Sequence, residues 1–235
     1  MKRMEKFRLP RQKMSDEFRG IISREMKKHG DVLTVASTKR MTEIARVVKE
    51  IEVCGLPKRF VKKKLSKELG YGIFLHPDAK PILRGEVIAP YSGNVSFERK
   101  SRVDDAAYAF DLVDIVYLTK EEQEIFDKNG PYSARRQYVA KLDALKQGNF
   151  TRFVNHSDNP NVMAVSLRIP KNRLGLREMP SEVIYIAKKR INPCEQLLSC
   201  YEDEEKGYWG VFKIVPFPMT PKTFQIDSRL RLVRS

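Results

Sequence analysis

The sequence predicts a mostly β protein with helices (α+β), in which a basic helical region precedes a longer β-rich region. Apolar residues recur at helical spacing in the first part of the chain. From Gly70 onward, short apolar segments alternate instead with glycine and proline at intervals of roughly ten residues, which indicates strands and turns. We therefore expect a helical N-terminal region over 1–65, a β-rich domain over 66–212 and a C-terminal tail over 213–235.

Apolar spacing predicts three helices in the N-terminal region. The first covers Asp16–Lys28 and the second Thr38–Val53, each with apolar residues every three or four positions. Gly55 ends the second helix, and Thr42 is an alternative cap for a slightly shorter version. A third helix, short and basic, is predicted over Lys58–Leu69.

Positive charge is concentrated in this N-terminal part. Residues 1–69 hold 20 Lys and Arg against 9 Asp and Glu, whereas residues 70–235 hold 25 against 21. Such a surplus predicts contact with a polyanion, either nucleic acid or a nucleoprotein. Within this region, one group of cations is either a nucleic-acid or nuclear-localisation patch or, in the favoured interpretation, a solvated helix face; it consists of Lys58, Arg59 and Lys62–Lys64.

The composition also excludes several classes of protein. No apolar run approaches the length of a membrane span, and the first residues, M-K-R-M-E-K-F-R, lack the apolar region of a classical signal peptide. Cys54, Cys194 and Cys200 are widely spaced and form no C-x-x-C pair, so we expect reduced thiols and no metal site or disulfide framework. A cytoplasmic protein without membrane segments is therefore expected.

The β-rich region is predicted to hold short strands and two helices. One helix is predicted over Lys120–Asn129 and one over Ala134–Leu145, where Tyr138, Leu142 and Leu145 recur at helical spacing. The predicted strands are centred on 73–75, 86–88, 108–112, 162–168 and 182–187, with a further extended piece over 195–201. The tail from Pro216 is expected to lie on the surface.

The most unusual stretch is Gly148–Asn161, which reads G-N-F-T-R-F-V-N-H-S-D-N-P-N. Asn, Ser and Asp compete for backbone hydrogen bonds and proline removes one, so the run cannot be a helix interior. It lies between two apolar segments. We interpret it either as an elaborate Asx-type turn or as a set of polar side chains ordered for binding.

Four separated stretches, in this order and spacing, resemble the SET-domain lysine methyltransferases. The family's patterns are G-x-G, then G-E followed by two hydrophobic residues and Y-x-G, then R-F-x-N-H-S-x-x-P-N, then G-E-E-L-T-x-D-Y. They are matched by Gly70–Gly72, Gly85–Ile88 with Tyr91 and Gly93, Arg152–Asn161, and Glu195–Tyr201. The third match is the most specific, and the similarity covers roughly residues 66–210. It implies a fold of small sheets with a knot-like threading of the C-terminal part.

The resemblance implies that S-adenosylmethionine is the cofactor and that its methyl group passes to a lysine amine. Tyr201 and Tyr108 would be catalytic, with the Tyr201 hydroxyl where the methyl, sulfonium and lysine nitrogen meet. His156 would be a cofactor contact, neither a general base nor a metal ligand. The implied cofactor-binding residues are Gly70, Tyr71, Gly72, Tyr108, Arg152, Phe153, Asn155, His156, Tyr201 and Trp209.

The sequence departs from the family's pattern in several places. Cys194 and Gln196 replace Gly and Glu of the last motif, and Asp158 replaces a frequent cysteine. Trp209 either covers the cofactor or is ordinary packing. Because no cysteine-rich zinc cluster precedes or follows the domain, the chain resembles zinc-free bacterial and viral members such as the chlamydial histone methyltransferases.

The expected protein partner is a histone or histone-like protein with an exposed lysine. We also expect the basic N-terminal region to bind nucleic acid and the chain to form a homodimer. A bacterial effector of this kind would be exported to a host nucleus. Two alternatives remain open. One is a non-enzymatic nucleic-acid- or chromatin-binding protein on a degenerate SET scaffold, and the other is a methyltransferase of ribosomal or other non-histone lysines.

Overall fold

A computed structural model of the chain describes residues 16–28, 34–67, 69–100, 109–127, 130–169, 182–201 and 224–234. Its helices are α1 (Asp16–Lys28), α2 (Thr38–Cys54) and α3 (Lys120–Phe126). Its strands are β1 (Phe60–Ser66), β2 (Gly70–Leu75), β3 (Val87–Pro90), β4 (Asn94–Arg99), β5 (Ala109–Tyr117), β6 (Gln137–Asp143), β7 (Asn155–His156), β8 (Val162–Ser166), β9 (Val183–Ala187), β10 (Leu198–Ser199), β11 (Phe224–Ile226) and β12 (Leu232–Arg234). The predicted mostly β class with a few helices is confirmed.

The described strands form several small sheets. The largest has the order β3-β9-β8-β10-β7, and a three-stranded sheet has the order β4-β6-β5. β1 and β2 form an antiparallel pair, as do β11 and β12. In the largest sheet β10 runs parallel to both β7 and β8, whereas β9 is antiparallel to β3 and β8. The strand β10 therefore joins two segments that are distant from it in sequence. The knot-like threading stays a prediction.

The helix α2 covers the main hydrophobic core. Its buried face carries Ile44, Val47, Val48 and Ile51, which belong to one apolar cluster with the strands β2, β3 and β9. The helix begins at a cap by Ser37, whose hydroxyl accepts a hydrogen bond from the Arg40 amide at 3.3 Å. The alternative cap, Thr42, lies inside the helix with its hydroxyl donating to the Thr38 carbonyl at 3.0 Å. The longer predicted helix is thus the correct one.

A second apolar cluster attaches α1 to the three-stranded sheet. Phe18, Ile21 and Ile22 of this helix pack against Phe97 and Tyr138 among other buried side chains. The Phe18 and Phe97 ring centroids are 4.6 Å apart. The predicted bounds of α1 are confirmed, and the apolar face that predicted it is the one that it buries.

The prediction of a helix over Lys58–Leu69 is wrong, because these residues contain the strand β1. Each residue from Phe60 to Lys64 pairs with one of β2, and β1 spans the predicted domain boundary between residues 65 and 66. Three consecutive lysines favour a helix by local propensity. The apolar run of β2 needs a hydrogen-bonded neighbour, and this pairing outweighs the local preference.

The helix predicted over Ala134–Leu145 is also wrong, since this segment holds β6, the central strand of its sheet. Residues Tyr138 to Leu142 are all buried, so the strand has no exposed face. Lys141 is 3% exposed and pairs with Glu98 at 3.0 Å. A buried strand gives a continuous apolar run rather than an alternation, and spacing alone does not distinguish it from a helix.

The last described residues return to the domain. The β11–β12 hairpin docks where Ile226 donates its amide hydrogen to the Cys194 carbonyl at 3.1 Å, and Gln225 forms a bridge with Glu195. No helix of the described residues is long and apolar enough to cross a membrane.

An ion pair between α1 and α3 predicts acid-sensitive stability. Arg24 binds Glu122 through two contacts of 2.6 and 3.0 Å. Burial alone would raise the pKa of Glu122, but hydrogen bonds from Arg24 and the Thr119 amide lower it below its ordinary value of 4.5. A lowered folded-state pKa means that the stabilisation is present above about pH 4.5 and is lost as the pH falls through the folded pKa.

We expect Glu122→Gln, which keeps the helix cap, to lower the free energy of unfolding at pH 7 by about 1 kcal/mol, because Arg24 is partly exposed. The difference in the free energy of unfolding between the wild type and Glu122→Gln should disappear at acid pH. Urea denaturation between pH 7 and pH 3 measures this difference, with Glu124→Gln on the exposed face of α3 as the control. A difference that is absent at pH 7, or that grows in acid, would contradict this role of the ion pair.

Candidate functional site

The polar run identified in the sequence is held against β10 by backbone hydrogen bonds. β7 pairs with β10 in parallel, with Asn155 opposite Leu198 and His156 opposite Ser199. Just beyond, the Ser157 amide donates to the Ser199 carbonyl at 2.9 Å. The run is therefore ordered by strand pairing and is more than a local turn.

Asn161 closes this arrangement with its side chain. Its Nδ2 donates to the Gln196 carbonyl at 2.8 Å, and its Oδ1 accepts from the Leu198 amide at 2.9 Å. Its own amide donates to the Leu198 carbonyl at 3.0 Å, and its carbonyl accepts from the Lys188 amide at 2.8 Å. With the residue 7% exposed, the side chain takes the place of a strand partner inside the protein.

Asn155 points the other way, toward β2. Its Nδ2 donates to the Tyr71 carbonyl at 3.1 Å. The ring of Tyr71 meets that of Phe153 edge-on, with centroids 5.8 Å apart. Phe153 lies in a 3₁₀ helix, Phe150–Phe153, immediately before β7. Three of the predicted cofactor-binding residues thus form one wall, and Tyr71 is 42% exposed along it.

Two cations lie on the aromatic rings of this wall. The Lys62 ammonium is 4.6 Å from the ring centroids of both Tyr71 and Phe153. The Arg152 guanidinium is 5.3 Å from the Phe153 centroid, and its Nη2 donates to the Leu145 carbonyl at 2.8 Å. The sequence predicts the place of Arg152 but not that of Lys62, because Lys62 lies in the segment predicted as a helix.

The two glycines of the G-x-G stretch meet different requirements. Gly70 has a φ of +64°, which side-chain-bearing residues rarely adopt, and a Cβ there would meet nothing within 4 Å. A Cβ on Gly72 would lie 2.7 Å from Nε2 of Gln196. The space at Gly70 is therefore open for a ligand, whereas the space at Gly72 is filled by the protein's own buried amide.

His156 is held between two neighbours. Its Nδ1 accepts a hydrogen bond from the Tyr201 amide at 3.0 Å, and its Nε2 lies 3.1 Å from Oδ1 of Asp158. The accepted bond assigns the proton to Nε2, which donates to the carboxylate. Because both ring nitrogens have protein partners and the residue is 4% exposed, His156 positions Tyr201 and has no free nitrogen for general-base catalysis.

Tyr201 closes the wall near its other end. Its hydroxyl donates to the Val154 carbonyl, and its ring centroid is 5.5 Å from that of His156. Tyr108 and Trp209, the two other predicted site residues, lie outside the described residues. Among the described residues predicted for the site, contacts join Tyr71 to Phe153 and Asn155, Arg152 to Phe153, and His156 to Tyr201. Gly70 and Gly72 flank Tyr71 on β2.

A buried tyrosine that sequence reasoning missed lies beneath β10. Tyr185 of β9 is fully buried against the rings of Tyr91 and Phe110, at centroid distances of 5.7 and 6.0 Å. Burial raises the pKa of Tyr185, with the neighbouring Tyr91 adding to it and a hydrogen bond with Ser199 opposing it. The hydroxyl therefore stays protonated, and it ties the core to the strand that holds the polar run.

An open groove of about 1000 Å³ lies between α2 and the loop from β2 to β3. Arg59 in its wall donates to the Val87 carbonyl at 2.8 Å. Burial, and to a lesser extent repulsion from Arg46, lowers the pKa of Arg59. The cations of the lining are Arg46, Lys58, Arg59, Lys80 and Arg190, and the carboxylates are Glu43, Asp78 and Glu86. Cations outnumber carboxylates, so the groove favours anions.

Metal ligation has no candidate in the described part of the chain. No group of three or more His, Cys, Asp or Glu side chains there is placed to hold a metal ion. Cys54 and Cys194 form no disulfide with another described residue.

The double hydrogen bond of Asn161 predicts a large loss of stability on truncation. Asn161→Ala leaves the Leu198 amide and the Gln196 carbonyl without their partners inside the protein, which costs roughly 2–4 kcal/mol in the free energy of unfolding. The control is Asn159→Ala, whose exposed side chain accepts from Lys189 and which we expect to cost less than about 0.5 kcal/mol. Chemical denaturation measures both, and equal losses would contradict the structural role of Asn161.

Comparison with known proteins places this site in a family. The family model described as SET domain matches residues 70–202, more than half of the chain. Two similar relatives are Histone-lysine N-methyltransferase EZ1 of Oryza sativa subsp. japonica and its counterpart of subsp. indica. Each is 29% identical over 155 residues, which cover 63% of this chain and 14% of the relative's length.

Among solved structures, the methyltransferase domain of human PR domain-containing protein 2 aligns with 74% of this chain and 92% of that domain, at 19% identity and a TM-score of 0.40. The motifs matched by the family model include the G-x-G strand, the polar run and Tyr201. Because the family model matches residues 70–202, more than half of the chain, the chain belongs to the SET-domain family.

Proposed function

We propose that the protein is a protein-lysine N-methyltransferase that uses S-adenosylmethionine and acts on histones or histone-like proteins. The observation that carries the proposal is the wall formed by Tyr71, Phe153, Asn155 and Tyr201 in a chain of the SET-domain family. The two Oryza sativa relatives, which are histone-lysine N-methyltransferases, support the choice of histones. The matched segment is 14% of the length of each relative.

The residues present fit such a cofactor by their chemistry. The partly exposed side chain of Tyr71 suits a purine, and the amide of Asn155 suits its polar groups. Open space at Gly70 allows close approach to the backbone. The residues that would hold the cofactor are Gly70, Tyr71, Gly72, Arg152, Phe153, Asn155, His156 and Tyr201, with Tyr108 and Trp209 added by the family resemblance.

When bound by these residues, S-adenosylmethionine would supply an electrophilic methyl carbon for a neutral lysine amine, with S-adenosylhomocysteine and a proton as the other products. The chain's part is to hold the amine in line. The Tyr201 proton is directed at the Val154 carbonyl, so its oxygen acts as an acceptor for an amine N–H. His156 holds the backbone of Tyr201 in place through Nδ1.

Removal of the Tyr201 hydroxyl tests this assignment. We expect Tyr201→Phe to lower the methyl-transfer rate by about 10²-fold or more, because an oriented polar contact at the reacting atoms is lost. Cofactor affinity should change little, since the ring and the backbone contact with His156 remain. Transfer of radiolabelled methyl groups gives the rate, and calorimetry gives the affinity.

The same assay identifies the substrate. Core histones, a bacterial histone-like protein and ribosomal proteins are offered separately to the wild-type chain and to Tyr201→Phe. Labelling of histones or histone-like protein that is lost in the variant supports the proposal. Labelling of ribosomal proteins alone would show that the substrate is a ribosomal protein and not a histone. No cofactor binding and no labelling of any protein by the wild type would overturn the enzyme assignment.

A second function, binding of nucleic acid, is favoured by the groove beside α2. We propose that phosphates bind there between Arg46, Arg59 and Arg190, where cations exceed carboxylates and two guanidiniums repel each other. The groove draws on the same N-terminal region that carries the charge surplus. This function is compatible with methyl transfer and does not depend on it.

Arg46→Gln should weaken binding of a short DNA duplex and reduce the slope of log K against log salt concentration by about 1, as expected for one lost phosphate contact. The control is Lys49→Gln, an equal charge change on α2 outside the groove lining. Fluorescence anisotropy at several salt concentrations measures both. Equal effects of the two substitutions would show that the groove has no specific role.

A further inference from the structure

Gln196 connects the two segments that carry the candidate site. Its backbone forms an antiparallel bridge with Phe74 on β2, the strand that also carries Tyr71. Its carbonyl accepts a hydrogen bond from Nδ2 of Asn161 at 2.8 Å, at the end of the polar run. Gln196 is 5% exposed, so its side chain is packed inside the protein. Gln196 is therefore placed to fix how closely β2 lies against the segment that holds the polar run.

The side chain of Gln196 occupies the space beside Gly72. Residues two positions apart on a strand share a face, so a side chain opposite Phe74 can reach along β2 to Gly72. A Cβ on Gly72 would lie 2.7 Å from Nε2 and 3.3 Å from Cδ of Gln196. The same Cβ would lie 3.2 Å from Cδ1 of Leu65 on β1. Gly72 thus has no room for a methyl group unless the buried Gln196 amide moves.

The face of β2 opposite this contact carries the ring of Tyr71. Neighbouring residues of a strand project to opposite faces, so Gln196 lies behind the strand and the Tyr71 ring lies in front of it. A shift of Gly72 moves the backbone of Tyr71, whose carbonyl accepts a hydrogen bond from Asn155 at 3.1 Å. Because protein interiors are densely packed, they transmit such a shift and do not absorb it.

We propose that Gln196 is a positioning residue for cofactor binding. Its side chain fills the space behind Gly72 and thereby sets the position of Tyr71 in the wall. This inference rests on the proposed function, because the wall is the one proposed to hold S-adenosylmethionine. Gln196 acts through Gly72 and does not itself contact the ligand. Its contribution is one of size, so the volumes at positions 72 and 196 must be compatible.

A double-mutant cycle with S-adenosylhomocysteine as the ligand tests this role. Isothermal titration calorimetry gives the affinity, and urea denaturation gives the free energy of unfolding of each variant. We expect Gly72→Ala to weaken binding by about tenfold, because the new methyl group pushes β2 away from the Gln196 amide. Adding Gln196→Ala removes the obstacle, so the double variant should bind within about threefold of the wild type.

Two further variants separate size from other effects. Gln196→Met keeps the length of the side chain without its amide and should bind within about twofold of the wild type. Gln196→Ala alone should weaken binding by about threefold, because β2 loses its support. The matched control is Gln225→Ala in the Gly72→Ala background. Gln225 bridges Glu195 and is not among the nearest neighbours of a Cβ on Gly72, so its truncation should restore nothing.

Three results would overturn the role of Gln196 while wild-type binding still supports the proposed function. The first is a Gly72→Ala variant that is less stable but binds with unchanged affinity, which would leave the contact a purely structural role. The second is a loss in Gly72→Ala that Gln196→Ala does not restore, which would mean that the methyl group meets the ligand itself. The third is an equal loss in Gln196→Met and Gln196→Ala, which would assign the effect to the amide. Failure of the wild type to bind the ligand would overturn the proposed function and this role together.

Discussion

The candidate site depends on two hydrogen bonds by which the Asn161 side chain joins the polar run to residues 196–198, which are distant in sequence. Its amide bridges the backbone of residues 196–198 at 2.8 and 2.9 Å inside the protein, so its removal leaves two buried backbone groups without these partners. Strand β10 is held by these bonds and by parallel pairing with β7 and β8. It positions one side of the site, because β10 leads directly to Tyr201 and β7 carries Asn155 and His156, whereas Tyr71 lies on β2.

Polar residues are dense in this run because each has a different task. Asn161 replaces a strand partner, Asn155 reaches across to the Tyr71 carbonyl, and His156 is held between Asp158 and the Tyr201 amide. The departures from the family's pattern fit the same scheme. Asp158 supplies a partner for the imidazole, and Gln196 fills the space that Gly72 leaves without a Cβ. Three of these polar residues, His156, Asn161 and Gln196, are buried, whereas Asp158 is exposed.

Sequence reasoning predicted the parts of the fold whose signal is local. The apolar stripe of α1 and the capped stripe of α2 need no partner to be recognised, and both lie where expected. The strands β1 and β6 were missed because their state is decided by neighbours distant in sequence. The lysines of β1 pair with β2, and the buried centre of β6 shows no alternation. The same error hid Lys62, whereas the motif residues were predicted from the resemblance and lie together as described.

We propose that Tyr71, Phe153 and Asn155 form the wall of a cofactor pocket that ends at Tyr201. A crystal structure of the protein with S-adenosylhomocysteine tests this arrangement. We expect the ligand to lie against these side chains, with its nucleoside near Tyr71 and Asn155 and its thioether sulfur directed toward Tyr201. A ligand bound elsewhere on the protein, or crystals that hold none at saturating concentration, would contradict it.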